Sequence, residues 1–340
     1  MPTRWPKSSR NAVSLSIPYP LALSHIFIDF HRTDKELLVF KSTENYSQVG
    51  HATDTKCKPD FAAAFESHWT DPKKNITPWS RIQCVGEDAS KGKNCKSQEG
   101  QANSYLHYLL LARPDLHVAQ GVFISKSNVI FLFGIGGFGI RSLTVNWESE
   151  DLQMLAYAFF YRLYDPGRFS DPSYIGIVPH PEDENLVAYT VKIKATTGDG
   201  RTQDIEVPNL IPLYATSPFG TRTHIFSNPD PTAATVEVDG KPLAVLKEQL
   251  CRHPTRFDEH GILSRVHCPE SVPGVIEEVY HELLEAPFCD YRKKYRMGLR
   301  DLGKPFMTIH TVQQMLEIVF DILEGDLSPL LTLSCVFTRW

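Results

Sequence analysis

Apolar residues in the first half of the chain recur at both helical and strand spacing. A helix is predicted over residues 101–113, where Pro114 ends it, and another begins at Ser149. Between them, two apolar runs joined by Lys126-Ser127-Asn128 predict a β-hairpin. A strand over 80–86 precedes a polar loop over 87–103. This mixture of helices and strands predicts an α/β domain.

One further helix is predicted near the start of this domain. Phe61, Phe65 and Trp69 stand at helical spacing, and Asp60 can cap the helix. Before it, residues 1–58 contain scattered Pro, Ser and Thr and are predicted to be irregular.

The second half of the chain is dominated by hairpin patterns. Asp239-Gly240 is a tight-turn signal between two short strands. The other predicted elements are a hairpin from about 187, strands at about 210–216, 223–227 and 273–279, and helices at about 256–266 and 311–324. The fold class is therefore α+β, with an α/β domain followed by an antiparallel sheet with helices.

A segment rich in Pro, Asp and Gly over 165–186 separates the two regions and is predicted to contain the domain boundary. The sequence thus divides into an irregular segment (1–58), an α/β domain (59–175), a second domain (186–325) and a tail (326–340). The tail carries seven large apolar residues, so we expect it to pack poorly and to promote association.

The composition is that of an ordinary globular protein and favours neither nucleic acid nor a membrane as a partner. The 340 residues carry a net charge of −5 and are 42% hydrophobic, which suits two domains with real cores. The net charge therefore does not favour nucleic acid as a partner, and no apolar run is long enough to predict a membrane span.

Cysteine usage favours a reducing compartment. The seven cysteines are an odd number at wide spacing, without CxxC, which predicts reduced thiols in an intracellular protein of the cytoplasm or nucleus. The pairs Cys251/His253 and His267/Cys268 do not recur at metal-site spacing, so no metal site is predicted.

The most prominent motif, GIGGFG at Gly134–Gly139, matches the dinucleotide-binding pattern G-x-G-x-x-G. Such a site needs a helix directly after the glycines, whose amino terminus faces the pyrophosphate. The following residues, IRSLTVNW, are strand-like. We therefore interpret the motif as a glycine-rich turn between strands.

Two acidic residues raise an alternative. Asp60 and Glu87, with a strand, a helix and a hairpin following, are compatible with a metal-dependent nuclease core. That chemistry needs a lysine two residues beyond the second acid, where Ala89 stands. Glu87 is therefore interpreted as a surface acid on a polar loop.

A basic run lies further along, in YRKKYRMGLR. Such a run can contact phosphate or direct nuclear import, but short basic runs usually form solvated faces, and that is the interpretation favoured here.

Three features of the second domain occur in a functional order. A turn centred on Gly220 is followed by a strand bearing Lys247 and by a helix bearing Glu259. In a kinase small lobe the turn covers the phosphates, the lysine pairs with the α- and β-phosphates, and the helix glutamate holds the lysine. We expect Lys247 and Glu259 to form an ion pair in a cleft roofed by the Gly220 turn.

Over about 212–324 the chain resembles the small lobe of the fungal-type protein kinase family. The matching stretches include PLYATSPFGTRTHIFS, LAVLKEQLCR, RFDEHGIL and QMLEIVFDILE. WSRIQCVGE and the hairpin at 117–133 resemble the domain preceding that lobe. The resemblance implies a kinase-like small lobe, protein kinase ancestry and ATP as the ligand.

The resemblance also assigns a set of nucleotide-binding residues: Gly220, Thr221, Arg222, Lys247 and Glu259. Gly220 matches the first glycine of the phosphate loop, and Arg222 stands where the second is expected. Its side chain either blocks the approach of a phosphate or contacts the phosphate directly. Adenine is expected near Arg300–Gly303.

The catalytic groups of the family are not matched. No His-Arg-Asp occurs in the chain, and Asp301-Leu302-Gly303 precedes the last predicted helix, whereas a metal-binding DFG motif would follow the catalytic loop. We therefore expect the large lobe to be missing, Mg²⁺ not to be held, and phosphoryl transfer to be absent. The alternatives are a non-catalytic module that binds a protein partner and a degenerate Mg²⁺-dependent nuclease.

Overall fold

The structure is a computed structural model. It describes residues 36–51, 57–71, 73–90, 95–180, 183, 185–196, 201–227, 236–253, 258–268, 275–288, 290–300, 302, 311–313 and 316. The predicted tail over 326–340, Asp301 and most of the predicted helix over 311–324 lie outside these residues.

The first half of the chain builds a six-stranded mixed sheet. Its strands follow chain order across the sheet, and every neighbouring pair is antiparallel except β3 and β4, which are parallel. The strands are β1 (Leu38–Ser42), β2 (Phe61–Phe65), β3 (Ile82–Asp88), β4 (Val118–Ile124), β5 (Asn128–Ile135) and β6 (Gly139–Asn146).

A helix covers each face of this sheet. The helix α1 (Cys95–Ala112) packs Leu106 and Leu109 against one face, where Ile82 and Val85 are buried. The helix α2 (Leu152–Tyr164) covers the other face, and its side chains Phe159, Phe160 and Leu163 pack around Phe131. Parallel strands β3 and β4 need such a helical crossover, which α1 provides. The first unit is thus a three-layer α/β arrangement.

The predicted helix at Phe61–Trp69 is wrong. Phe61–Phe65 is strand β2, followed by a single 3₁₀ turn over Glu66–His68. Ala62 and Ala64 pack on the α1 side, whereas Phe61 and Ala63 pack on the α2 side. A strand buried on both faces has a continuous apolar run, so its period of two is hidden and the aromatic spacing resembles a helix.

Two predicted boundaries of the first unit shift as well. Strand β1 lies inside the 1–58 segment predicted to be irregular, and it pairs with β2 over its full length. The helix α1 begins at Cys95, inside the predicted polar loop over 87–103, because polar residues fill its first turns and give no apolar signal.

The second half forms one antiparallel sheet in the order β14-β15-β13-β10-β9-β8-β7. Its strands are β7 (Tyr174–Pro179), β8 (Val187–Thr196), β9 (Thr202–Ala215), β10 (His224–Ser227), β13 (Val245–Arg252), β14 (Glu278–Glu285) and β15 (Arg292–Leu299). A separate hairpin, β11 (Glu237–Val238) and β12 (Lys241–Pro242), surrounds the predicted Asp239-Gly240 turn. The helix α3 (Glu259–Val266) connects β13 to β14. The α+β class is confirmed.

The strand predicted over 273–279 lies further along the chain. Strand β14 begins at Glu278, and Val275–Glu277 precede it without strand pairing. Strand β7 belongs to the second sheet although its first residues fall inside the predicted 59–175 domain. No strand pairs across the two sheets within the described residues.

The interpretation of GIGGFG as a turn is confirmed. The motif joins β5 to β6 with no helix after it, and Gly137 has a positive φ of 74°. This turn lies at the contact between the two units, where the Gly137 amide donates to the Pro218 carbonyl oxygen at 2.6 Å. The Asp171 amide donates to Asp115 and the Tyr189 hydroxyl to Ala112 at the same contact. The boundary is therefore hydrogen-bonded and packed.

Candidate functional site

Lys247 and Glu259 form the predicted ion pair. The Lys247 Nζ lies 2.7 Å and 2.6 Å from the two carboxylate oxygens of Glu259, so it contacts both. The Lys247 side chain is 21% exposed and that of Glu259 45%, which leaves the ammonium group reachable from solvent. The sequence-predicted pair thus exists as a close, partly open contact.

The sheet explains how these two side chains meet. Lys247 is the third residue of β13, between Ile225 on β10 and Met297 on β15 in the strand register. Successive strand residues face opposite sides, so Lys247 faces away from its buried neighbour Glu248. Glu259 is the first residue of α3, where a carboxylate favours the positive end of the helix dipole.

The Gly220 turn has no described contact with this ion pair. The Thr221 carbonyl oxygen accepts the Leu250 amide at 2.7 Å, and the Gly220 carbonyl oxygen accepts Arg292 Nη1 at 2.6 Å. Phe219 in the same turn packs against the core of the first unit. The turn is therefore fixed beside the carboxyl-terminal end of β13, and among the described residues no contact places it as the predicted roof over Lys247.

Arg222 is committed to the contact between the two units. The residue is buried, and its guanidinium donates to the carbonyl oxygens of Arg113, at 3.2 Å, and of Leu116. A Cβ at Gly136 would lie 2.4 Å from Arg222 Nη1, so this glycine of the GIGGFG turn makes room for the arginine. Of the two predicted roles for Arg222, phosphate contact does not fit this placement.

The backbone at Arg222 nevertheless keeps a glycine-like conformation. Its φ is 42°, in the left-handed region that costs a residue with a side chain about 1 kcal/mol. The hydrogen bonds to the first unit offset that cost. The backbone at position 222 therefore has the conformation of a glycine in a phosphate loop, whereas the Arg222 side chain binds the first unit.

A buried network of charges that the sequence did not predict lies on the opposite face of the same sheet. Glu248 lies 2.7 Å from Lys294 and 2.6 Å from Arg296, and Lys294 also contacts Asp171 at 2.5 Å. The Tyr174 hydroxyl donates to Glu248 at 2.7 Å. The basic run YRKKYRMGLR was interpreted as a solvated face, which is wrong for Lys294 and Arg296, because the strand alternation turns them inward.

The electrostatics of this network hold its acids in the charged form. Burial raises the pKa of Glu248, but the charges of Lys294 and Arg296 outweigh it and lower that pKa to about 2. The same two cations overcome the burial of Asp171 and hold its pKa below the ordinary range. Because each buried charge is compensated by another, the network offers no free group for chemistry, and removal of any one partner would leave a buried charge uncompensated.

The two acids of the nuclease-like alternative do come together. Glu87 is near the end of β3 and is only 3% exposed, which makes its interpretation as a surface acid wrong. Asp60 directly precedes β2, and its Oδ2 accepts the Asp88 amide at 2.8 Å. Burial first, and then the charge of Asp60, raise the pKa of Glu87 to about 7. Its Oε2 atom is buried without a hydrogen-bond partner.

This raised pKa predicts a pH dependence of stability. The folded chain holds a proton on Glu87 up to about pH 7, whereas the unfolded chain releases it near 4.5, so the free energy of unfolding falls as pH rises between these values. Glu87→Gln should therefore stabilise the fold at pH 8, by up to about 3 kcal/mol, and change little at pH 4.5. Urea unfolding at both pH values measures this.

The matched control is Glu150→Gln, at an exposed site before α2. It should leave the pH dependence of the free energy of unfolding unchanged. Equal stability of wild type and Glu87→Gln at pH 8 would contradict the raised pKa of Glu87.

Comparison with known proteins adds no relative. No family model matches the chain, and a search of curated proteins finds no significant match. Among the described residues, no helix is both long and apolar enough to cross a membrane.

Proposed function

We propose that the second unit is the nucleotide-binding half of a relative of the fungal-type protein kinases, with ATP as its ligand. The observation that carries the proposal is the bidentate contact between Lys247 on β13 and Glu259 on α3. In protein kinases the equivalent lysine, held by a helix glutamate, pairs with the α- and β-phosphates.

The order of elements supports the same proposal. Strands β9 and β10 flank the Gly220 turn, β13 carries Lys247, and α3 leads into β14 and β15 of the same sheet. Lys247 therefore stands on the third strand of this sheet counted from β9, as the kinase lysine does.

The energetics of the pair favour a functional over a structural role. A partly exposed ion pair contributes little to folding, about 0–1 kcal/mol. Lys247 can therefore be used for a ligand at small cost to the fold. The Lys247 ammonium group would then donate to a bound phosphate and to Glu259 at the same time. The contact with Glu259 would keep the long lysine side chain in place.

We expect ATP to stabilise the protein through Lys247. At ten times its dissociation constant, the ligand should raise the free energy of unfolding by about 1.4 kcal/mol. Lys247→Ala should remove most of this gain, because the phosphates lose their cation. Thermal unfolding with and without millimolar ATP measures the effect.

Lys241→Ala is the matched control for this experiment. Lys241 also pairs with a glutamate, Glu277, at 2.7 Å, but it lies on the hairpin strand β12. This variant should keep the full response to ATP. An equal response in the wild type and in Lys247→Ala would contradict the proposed site.

We further propose that these 340 residues bind the nucleotide without transferring its γ-phosphate. Transfer needs metal ligands and a carboxylate that orients the attacking hydroxyl, and the chain contains no His-Arg-Asp sequence. Loss of even one preorganised electrostatic group costs about 10²–10³ in rate. With labelled ATP, Mg²⁺ and generic protein substrates, we expect incorporation no higher than in Lys247→Ala, and excess incorporation would overturn the proposal.

A second candidate function rests on the first unit, where Asp60 and Glu87 come together beside the parallel strands β3 and β4. Two carboxylates suit Mg²⁺, as in metal-dependent nucleases. However, Ala89 occupies the place of the lysine that this chemistry needs, and it is buried. Mg²⁺-dependent DNA cleavage by the wild type that is lost in Glu87→Ala would support this candidate. A wild type that does not cleave DNA would contradict it.

A further inference from the structure

We propose that His260, Glu278 and His281 bind one divalent transition-metal ion of the zinc class, at the junction of α3 and β14. One ring nitrogen from each histidine and one carboxylate oxygen all lie within 4.8 Å of one another. Zinc is held in proteins by such nitrogen and oxygen ligands at about 2.0–2.2 Å. Small side-chain movements would therefore bring the three groups to bonding distance.

A β-bulge brings two of these ligands to the same side of β14. Residues three apart in a regular strand point to opposite faces. The pairing of β14 with β15 shifts in register between Glu278 and Tyr280, so Glu278 and His281 both reach the side of α3. Tyr280 instead packs into the apolar core on the other side. Bulges commonly re-aim side chains beside functional sites.

One carboxylate oxygen of Glu278 has no hydrogen-bond partner in the structure. Its side chain is 10% exposed, and one carboxylate oxygen lies 2.5 Å from His260 Nδ1. The other oxygen, Oε2, is buried without a hydrogen-bond partner. Buried polar atoms are nearly always satisfied, so a carboxylate oxygen without a hydrogen-bond partner beside two imidazoles is suited to binding a cation.

The two imidazole rings are arranged in parallel. The rings of His260 and His281 stack with centroids 3.6 Å apart and an angle of 13° between their planes. Because an imidazole nitrogen bonds a metal in the plane of its own ring, the two rings must turn out of this stack to share one ion. Two imidazoles and one carboxylate favour zinc over Mg²⁺, which prefers oxygen ligands, and they leave a fourth position open.

The site lies next to the proposed nucleotide site. His260 directly follows Glu259 in the first turn of α3, so an ion held by His260 and β14 would fix the start of that helix. Glu259 would then be held in contact with Lys247. This consequence rests on the proposed function, whereas binding of the metal does not.

The test is the zinc affinity of the metal-free chain, measured by competition with a chromophoric chelator in the absence of nucleotide. We expect one tightly bound equivalent, with affinity reduced at least about tenfold in His260→Ala and in His281→Ala. Loss of a ligand or of its close support commonly costs about 10–100-fold. Glu278→Gln preserves side-chain shape and should also weaken binding, which guards against a variant that fails to fold.

His267→Ala is the matched control, since His267 follows the same helix but contacts the Ile276 carbonyl oxygen instead. It should bind zinc as the wild type does. Co²⁺ substitution should show absorption of nitrogen and oxygen ligands without a thiolate charge-transfer band, which excludes free cysteines such as Cys251 and Cys268. Zinc binding that is absent, or unchanged in both histidine variants, would overturn the proposal. If zinc binds but ATP does not, the metal site stands and only the proposed nucleotide-binding function is contradicted.

Discussion

Replacement of Arg296 by methionine should lower the free energy of unfolding by about 3–5 kcal/mol. Arg296 is 1% exposed and contacts Glu248 at 2.6 Å, Ser173 at 2.6 Å and Glu282 at 3.4 Å. Methionine fills similar space but leaves two buried carboxylates, of Glu248 and Asp171, to share the single ammonium group of Lys294. An uncompensated buried charge is costly because water cannot solvate it.

Urea unfolding followed by circular dichroism measures this loss. Arg300→Met is the matched control, because Arg300 directly follows the same strand and pairs with Glu277 while its side chain is 49% exposed. That variant should change the free energy of unfolding by less than about 1 kcal/mol. If the two variants were equally stable, the buried network could not be a main support of the second sheet.

Replacement of Arg222 by alanine should destabilise the contact between the two units by about 2–4 kcal/mol. Three carbonyl oxygens, of Arg113, Pro114 and Leu116, accept hydrogen bonds from its guanidinium. Each buried acceptor left without a partner costs about 1–3 kcal/mol, although water entering the space left by the side chain reduces the total. Alanine also keeps the unfavourable positive φ.

Hydrogen exchange at Gly137 gives a local measurement of this effect. Its amide donates to the Pro218 carbonyl oxygen across the contact, so it should exchange faster in Arg222→Ala. The exposed Arg168, which donates to the Pro287 carbonyl oxygen at 3.3 Å, supplies the control variant Arg168→Ala. Unchanged exchange at Gly137 would show that Arg222 does not hold the units together.

Local patterns were sufficient for most elements. The hairpin of β4 and β5, the Asp239-Gly240 turn and the helices containing Leu106 and Phe159 follow from apolar periodicity and turn residues within short windows. The GIGGFG turn also followed from its neighbours, since strand-like residues came next. Such signals depend only on residues close in the chain.

Other features depended on which surfaces become covered. Strand β2 was mistaken for a helix because helices bury both of its faces, and the alternation that marks a half-exposed strand is absent. Glu87 was assigned to the surface because its neighbours are polar, yet it lies under α1 beside Asp60. Which side chains are buried depends on helices and strands that are distant in the sequence.

The candidate site divides in the same way. Order and spacing along the sequence determined that Lys247 and Glu259 could meet, because a strand followed by a helix leaves few places for either side chain. The sequence could not show that Arg222 turns into the first unit, since its partners lie more than 100 residues away. Nor could it show that a bulge in β14 places His281 and Glu278 beside His260. Local residues determine the elements, whereas the pairing of strands decides which distant charges share one face and which are buried together.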